Sequence, residues 1–207
     1  MIDRVTLFRD DGPLARALGS AVGRAVAVPP VLLVLAGLLP LLAVVVIGGS
    51  DVSHPATAAV LAWTVLTVGA SSGRRGAEKI RWAQPPLVRA TEYAALIWIA
   101  ALEGPDAYPA AFALLAALTF RHYDLNYRLV HLGTTPAPWV SALAGGWDGR
   151  IAAGFVLLAA GALPAGFFIA AAVLGVAFVS EAAAAWLIHG RDPVALGPGD
   201  EDEEDEA

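Results

Sequence analysis

Long apolar runs, separated by short polar segments, dominate the sequence. Residues 25–47 contain no ionisable side chain, and neither do residues 55–73. A helix needs about 20 predominantly apolar residues to cross the hydrocarbon core of a bilayer. The pattern therefore predicts a transmembrane helix in each of these two segments.

The same criterion gives four more predicted spans. Residues 85–102 form the third, and residues 107–120 begin a fourth helix that continues to residue 132 as its face becomes polar. Residues 151–189 carry a single acidic or basic side chain, Glu181, and are too long for one span. We expect two helices there, turning near residues 161–166. The predicted fold is an all-α integral membrane protein with about six transmembrane helices.

Basic residues occur on only one side of this layout. Some of the 13 Lys and Arg residues precede the first span, and others follow the sixth. The rest lie between the second and third spans, in the first turns of the third, or between the fourth and fifth. Basic residues of short loops stay on the cytoplasmic side of a membrane. The sequence thus predicts a multi-pass protein of the cell (plasma) membrane with both termini in the cytoplasm.

Three segments lie outside the predicted spans. Residues 1–24 include an apolar stripe, Leu14, Leu18 and Val22, which is typical of an interfacial helix or of an amphipathic lead-in to the first span. Residues 134–147 are rich in Pro and Gly and are predicted to form an interfacial loop. Residues 190–207 end in seven consecutive acids before Ala207 and are predicted to be a disordered acidic tail. The predicted domains are residues 1–24, 25–189 and 190–207.

Composition agrees with a membrane protein and excludes several functions. The chain is 57% hydrophobic and 15% charged, whereas soluble domains have about a quarter of their residues charged. It contains no cysteine, which excludes disulfides, zinc–thiolate sites and thiol catalysis. The basic residues lack the pattern of a nucleic-acid binder, so no nucleic-acid partner is expected.

The most ordered polar pattern lies at residues 121–128. Arg121, Asp124 and Arg128 fall on one helical face, with Tyr127 in the same segment. Guanidinium groups bind phosphate with paired hydrogen bonds, so we expect Arg121 and Arg128, oriented by Asp124, to bind an anionic lipid headgroup. The expected binding residues also include Tyr127, Arg89 and Arg150. The alternative is an ion-pair network that ends a helix at the membrane interface.

Three other places combine charge with a span. Arg89 and Glu92 are spaced to pair with each other or to contribute to a polar site. Asp148 is a natural N-cap for the fifth span, and it or Arg150 is an alternative headgroup ligand. Glu181 is expected to be protonated or to pair with an arginine of another helix; the sequence does not choose between these.

The sequence contains no standard catalytic motif. A Gly-rich phosphate loop, a His-Glu-x-x-His zinc motif and a Gly-x-Ser-x-Gly elbow are all missing. If the chain is an enzyme, Asp124, His122 and Glu92 are the only credible catalytic set. No cofactor and no metal site are predicted; a divalent metal enters only with that enzyme alternative.

Three segments carry a family resemblance: Pro-Pro-Leu-Val-Arg-Ala-Thr-Glu-Tyr at 85–93, Arg-His-Tyr-Asp-Leu-Asn-Tyr-Arg at 121–128, and Pro-Trp at 138–139 with Gly-Trp-Asp-Gly-Arg at 146–150. They resemble an actinobacterial membrane domain of unknown function over residues 10–190. The resemblance implies frequent fusion behind nucleotidyltransferase-like and CDP-alcohol phosphotransferase domains.

The predicted topology is also similar to that of the CDP-alcohol phosphotransferases themselves. Those enzymes carry an Asp-x-x-Asp-Gly-x-x-Ala-Arg motif, followed by two further aspartates, at the end of span two and the start of span three. Here the corresponding residues 63–92 contain no aspartate, and the nearest acids are Glu78 and Glu92. The family's metals and catalytic roles are therefore not transferred to this chain.

These observations favour a membrane protein that binds an anionic lipid or lipid-linked phosphate and assists phospholipid-headgroup metabolism. The expected partners are membrane lipids and, from the resemblance, a CDP-alcohol phosphotransferase or nucleotidyltransferase. Small residues on the spans also permit a homodimer. The alternatives are a phosphotransferase with its site relocated around Asp124, and a small transporter or flippase.

Overall fold

The computed structural model describes residues 4–23, 25–47, 52–74 and 78–189. Within these ranges every regular element is a helix, which confirms the all-α prediction. The predicted tail, residues 190–207, lies outside the described residues.

Nine α-helices occur in the described ranges, in chain order: α1 Arg4–Arg9, α2 Pro13–Ala21, α3 Pro30–Ile47, α4 His54–Ala70, α5 Gln84–Glu103, α6 Tyr108–Tyr127, α7 Pro138–Ala144, α8 Gly146–Ala159 and α9 Leu163–His189. Short 3-10 helices cover Glu78–Ala83 and Pro105–Ala107. A π-helical turn, Arg128–Leu132, continues α6, so this helix reaches residue 132 as predicted. The turn between α8 and α9 also confirms the predicted division of residues 151–189.

Prolines set several helix starts. Pro13, Pro30 and Pro138 are the first residues of their helices, where a missing N–H costs no intrahelical hydrogen bond. Residue 25 was the wrong start for the helix of the first predicted span, because Pro29 and Pro30 place that start five residues later. Pro40 lies inside the continuous helix α3 and does not end it.

Two predictions about the connecting segments are corrected. The segment 134–147 is not all loop, because α7 occupies half of it before Gly145 ends the helix with a positive φ of 69°. The segment 1–24, predicted to hold one interfacial helix or lead-in, contains two short helices in its described part, α1 and then α2 from Pro13.

Within the described residues, two helices are long and apolar enough to cross a membrane. They are Pro30–Ile47, in which 39% of the 18 residues are buried, and Leu163–Ile188, in which 28% of the most apolar 18-residue stretch is buried. The core helix of a soluble protein would be mostly buried, whereas α9 leaves Ile169, Val176 and Leu187 more than 60% exposed. The apolar helix α4 is shorter, at 17 residues.

The long helices form one bundle. α6 packs along α9, α3 packs against α4, and α5 contacts both α3 and α8. Trp98 and Ile99 of α5, Leu118 of α6 and Phe167 of α9 are buried in its core. Since the helices alternate in direction, the start of α5 and the end of α6 lie at the same end of the bundle. The start of α8 and the last third of α9 also lie there, so the charged residues of all four helices meet.

The amphipathic helix α2 packs closely on this bundle. A Cβ atom at Gly19 would overlap the backbone of Ser72, and one at Gly69 would overlap Leu18. Glycine at both positions lets α2 lie against the end of α4 at backbone distance. The N-terminal segment is therefore held against the charged end of the bundle.

Candidate functional site

Asp10 is the centre of a buried charged network at this end of the bundle. Its carboxylate lies 2.9 Å from Arg150 Nη2, 3.8 Å from Arg89 Nη1 and 3.9 Å from Arg121 Nη2. The backbone of Asp10 has a φ of 52°, a left-handed conformation that Asp tolerates better than most residues. A single residue between α1 and α2 thus contacts arginines of α5, α6 and α8.

The arginines keep the Asp10 carboxylate charged. Burial alone would raise the pKa of Asp10, but the positive charges of Arg150, Arg89 and Arg121 outweigh that effect and hold the pKa below its ordinary value. Asp10 is therefore ionised at neutral pH.

Glu92 is the second acid of this group, and its main partner is on another helix. Its Oε1 accepts a 2.5 Å hydrogen bond from Arg150 Nε, and Arg150 also donates to the carbonyl of Ala144 at 2.9 Å. Oε2 of Glu92 lies 3.8 Å from Arg89 Nη1 and accepts no hydrogen bond in the described part of the chain. The predicted Arg89–Glu92 pair is present, but it is looser than the pair with Arg150.

Arg9 and Asp11 extend the network to α4 and α8. Arg9 donates to Asp11 at 2.9 Å and to Gln84 Oε1 at 3.1 Å. Asp11 also accepts hydrogen bonds from Ser72 Oγ and from Trp147 Nε1, both at 2.8 Å. The polar sequence before α2 is therefore a buried connection between distant helices.

Asp148 caps a helix, but not the predicted one. Its carboxylate accepts hydrogen bonds from the backbone N–H groups of Gly12 (2.6 Å), Leu14 (2.9 Å) and Ala15 (3.1 Å), at the start of α2. α8 already begins at Gly146 and has no side-chain cap, so the prediction that Asp148 caps its own helix was wrong. The carboxylate accepts hydrogen bonds from backbone N–H groups that would otherwise lack a partner at the helix start. Its negative charge also interacts favourably with the positive end of the α2 dipole.

The predicted Arg121–Asp124–Arg128 face is divided in the structure. Arg128 Nη2 lies 2.5 Å from both Asp124 Oδ2 and Glu181 Oε2, and Nη1 donates to Glu181 at 2.9 Å. Glu181 therefore pairs with an arginine of another helix, which decides the choice that the sequence left open. Arg121 instead donates to Ser141 at 3.0 Å and lies over the Phe178 ring.

The charges separate into two groups of opposite sign. We call the first the Asp10 cluster; with all groups ionised it has a formal charge of +1 and consists of Asp10, Glu92, Arg89, Arg121 and Arg150. The second, the Arg128 cluster, has a formal charge of −1 and consists of Asp124, Glu181 and Arg128. Each cluster therefore contains one charge that no opposite charge within the cluster balances.

A cavity of about 470 Å³ lies beside the Asp10 cluster. We call it the Arg89 pocket; it is lined by Phe8, Trp82, Pro85, Pro86, Arg89, His122, Leu125 and Asn126. Arg89 Nη2 donates to the Phe8 carbonyl at 2.5 Å, but Nη1 has no hydrogen-bond partner within the described ranges. His122 Nε2 also has none there, while Nδ1 is 2.9 Å from the Tyr93 hydroxyl. Two side chains that line the pocket therefore each have a buried nitrogen atom without a hydrogen bond in the described ranges, and that of Arg89 lies 3.8 Å from Asp10 and from Glu92.

Each of the three predicted catalytic residues is hydrogen-bonded to a different partner. Glu92 bonds Arg150, His122 bonds Tyr93, and Asp124 bonds Arg128. His122 lines the Arg89 pocket, whereas Asp124 and Tyr127 line a different cavity on the other flank of α6. Among the described side chains, no group of three or more His, Asp or Glu is arranged to hold a metal ion.

Sequence reasoning missed the role of Arg9, Asp10 and Asp11. The signal available was three consecutive charged residues directly before the Gly-Pro start of an amphipathic helix. An exposed lead-in explains such a triplet equally well, and nothing in the sequence pairs it with residues about 140 positions later.

Asp10→Asn should destabilise the fold by about 3 kcal/mol at neutral pH, because it leaves buried arginines without one of their counter-charges. Asn has the size of Asp and tolerates its positive φ, so the substitution changes the charge and little else. The lowered pKa means that the carboxylate stabilises the fold above its unfolded pKa of about 3.9, and that this contribution is lost as pH falls through the folded value.

Thermal unfolding of wild type and Asp10→Asn across pH tests this. We expect a large gap in Tm at pH 7 that narrows below about pH 4. Glu103→Gln, which changes an exposed carboxylate at the far end of α5, should leave Tm unchanged. A pH-independent gap between wild type and Asp10→Asn would show that the charge of Asp10 is not what stabilises the network.

Comparison with known proteins places the chain in a family. No curated protein matches it, and no solved structure matches it. The model of a family of unknown function, DUF5941, matches residues 3–200. This match includes every helix and both charged clusters, and it agrees with the resemblance to a domain of unknown function. The chain belongs to the DUF5941 family.

Proposed function

We propose that this protein binds an anionic lipid or lipid-linked phosphate in the Arg89 pocket, at the cytoplasmic face of a membrane. The observation that carries the proposal is a cavity lined by Arg89 and His122, next to a cluster of charge +1, in which Arg89 Nη1 and His122 Nε2 make no hydrogen bond within the described residues. A phosphate oxygen that reaches the Arg89 guanidinium would accept a charge-assisted hydrogen bond from it.

The rim of the pocket supports a ligand that comes from a membrane. Trp82 is 73% exposed and lies at the rim with Phe8 and the exposed ring of Pro86. Tryptophan is enriched at the headgroup level of bilayers, where its ring meets both apolar and polar surroundings. A lipid whose phosphate enters the pocket would keep its acyl chains against these apolar side chains.

The other arginines act on this ligand through the network. Arg121 and Arg150 neutralise Asp10 and Glu92, so that the positive charge of Arg89 is not cancelled by those acids. In the proposal they position Arg89 and maintain the charge of the cluster. Arg128 and Tyr127, also predicted to bind phosphate, lie at other cavities and are not part of this contact.

We further propose that α3, α4, α5, α6, α8 and α9 are six membrane spans. The charged end of the bundle, which contains Arg9, Arg89, Arg121, Arg128 and Arg150, would face the cytoplasm, in line with the retention of basic residues there. The charged side chains described at the far end are Glu103 and Asp106, both acids. Buried pairing at the basic end explains how α5 and α6 tolerate charge near lipid.

The enzyme and transporter alternatives have no specific support in the contacts. A phosphotransferase around Asp124 needs an acid or base that is free to react, whereas Asp124 and Glu92 are each hydrogen-bonded to an arginine. A transporter would favour buried charge or broken helices near the middle of the membrane, and the described charges lie at the ends of the bundle.

Arg89→Gln should weaken the binding of phosphatidic acid by about tenfold, because it removes a charge-assisted hydrogen bond to the phosphate. Affinity is measured with the purified full chain in detergent, using short-chain phosphatidic acid, a diacylglycerol with the same acyl chains, and inorganic phosphate. We expect phosphatidic acid to bind and the uncharged diacylglycerol not to bind.

Arg16→Gln is the matched control, since Arg16 is an exposed arginine on α2 outside the pocket. Its affinity for phosphatidic acid should equal that of the wild type. Inorganic phosphate binding as tightly as phosphatidic acid would indicate a soluble ligand. Equal affinities of Arg89→Gln and the wild type would exclude this pocket.

The absence of cysteine from the sequence permits a direct test of topology. Cysteine introduced at Asp106 or Gly161 should react with a membrane-impermeant maleimide in intact cells, whereas cysteine at Gly73 or Thr135 should react only after lysis. Labelling of Gly73→Cys and Asp106→Cys under the same conditions in intact cells would contradict the six-span orientation.

A partner is proposed from the resemblance alone. We propose that the protein assists phospholipid-headgroup metabolism by docking a CDP-alcohol phosphotransferase or a nucleotidyltransferase, as a monomer or a homodimer. Cross-linking in native membranes followed by mass spectrometry should recover such an enzyme, and its absence from an exhaustive cross-linked set would count against this role.

A further inference from the structure

A second cavity, of about 440 Å³, lies between the last part of α6 and the last part of α9. We call it the aromatic pocket. Four of its lining side chains are aromatic: Phe120, Tyr123, Tyr127 and Trp186. Asp124 is the only ionisable acid among the lining residues, and small apolar residues of α9 complete the wall. Neither the family match nor the proposed phosphate site accounts for this arrangement.

The aromatic rings are tilted against one another and are partly exposed. The centroids of Tyr127 and Trp186 are 5.4 Å apart at 46°, and those of Tyr123 and Tyr127 are 6.4 Å apart at 31°. Exposure of these residues ranges from 37% for Tyr127 to 69% for Tyr123. The face of an aromatic ring carries negative electrostatic potential, so several rings around one cavity attract a cation.

The charge next to the aromatic pocket also favours the binding of a cation. Asp124 belongs to the Arg128 cluster, in which two carboxylates share one guanidinium. Arg128 donates to Oδ2 of Asp124 and, with the same guanidinium, to Glu181. The cavity therefore combines aromatic faces with an excess negative charge, the opposite of the Arg89 pocket on the other flank of α6.

We infer that the aromatic pocket binds a quaternary ammonium group. Aromatic faces stabilise a diffuse, weakly hydrated cation without hydrogen bonds, which is how choline-type groups are recognised. Ca²⁺ or Mg²⁺ is a poor alternative because these ions prefer several oxygen ligands, and among the described lining residues Asp124 is the only carboxylate. The volume is in the range of small-molecule sites and holds a trimethylammonium group with part of its tether.

The quaternary ammonium has two chemical sources, a soluble choline-type compound and the headgroup of a membrane lipid. The inference does not depend on the proposed phosphate site, because the two cavities share no lining residue. It can therefore hold even where phosphatidic acid fails to bind the Arg89 pocket.

Calorimetric titration of the purified full chain in detergent with choline and with 3,3-dimethylbutan-1-ol tests the inference. The second compound has nearly the same shape as choline but carries no charge. We expect choline to bind at least tenfold more tightly. Short-chain phosphatidylcholine and phosphatidylglycerol, compared in the same way, identify the source: preference for phosphatidylcholine over free choline indicates a lipid headgroup, and the reverse indicates a soluble ligand.

Trp186→Leu should reduce the affinity for choline about tenfold. Trp139→Leu is the matched control, because Trp139 is similarly exposed but lines a different cavity. If Trp186→Leu fails to fold, Tyr123→Leu replaces it, since the Tyr123 side chain is largely exposed. Equal binding of choline and its neutral analogue, unchanged affinity of the pocket variant, or no binding of either choline or phosphatidylcholine would each overturn the inference.

Discussion

The structure depends on the need to pair guanidinium groups that are removed from water. Arg9, Arg128 and Arg150 are at most 7% exposed, and an unpaired charge in such surroundings costs several kcal/mol. Carboxylates from four separate parts of the chain supply the counter-charges. Asp10 and Asp11 come from the N-terminal segment, Glu92 from α5, Asp124 from α6 and Glu181 from α9. The requirement for pairing therefore fixes how these elements meet.

The same constraint explains why the N-terminal segment is part of the fold. Gly12 has no room for a side chain, since a Cβ atom there would overlap the Gly145 carbonyl and the Asp148 carboxylate. Asp148 in turn accepts three backbone hydrogen bonds at the start of α2. The segment closes the charged end of the bundle, while apolar side chains of α3 and α9 stay exposed on its sides. Exposed apolar sides of this kind are compatible with a membrane protein.

Both proposed binding sites lie beside a cluster of charged residues whose charges do not balance. The Asp10 cluster has one guanidinium in excess, and the Arg128 cluster has one carboxylate in excess. The Asp10 cluster borders a cavity lined by Arg89 and His122, and the Arg128 cluster borders a cavity lined by four aromatic side chains. Buried ion pairs contribute little net stability compared with apolar packing. In this chain the ion pairs of the two clusters place opposite formal charges on the two flanks of α6.

The sequence by itself determined the helical class, the turn between α8 and α9 and most helix positions, because apolar runs, prolines and glycines act locally. It also identified Arg89, His122 and Glu92 as residues of interest, since charge beside an apolar run is unusual. Only the tertiary structure decided which charges pair. Asp10 with Arg150, Glu181 with Arg128 and Asp148 with the start of α2 join residues 53 to 140 positions apart. Local spacing carries no information about such contacts, because they depend on how the helices pack.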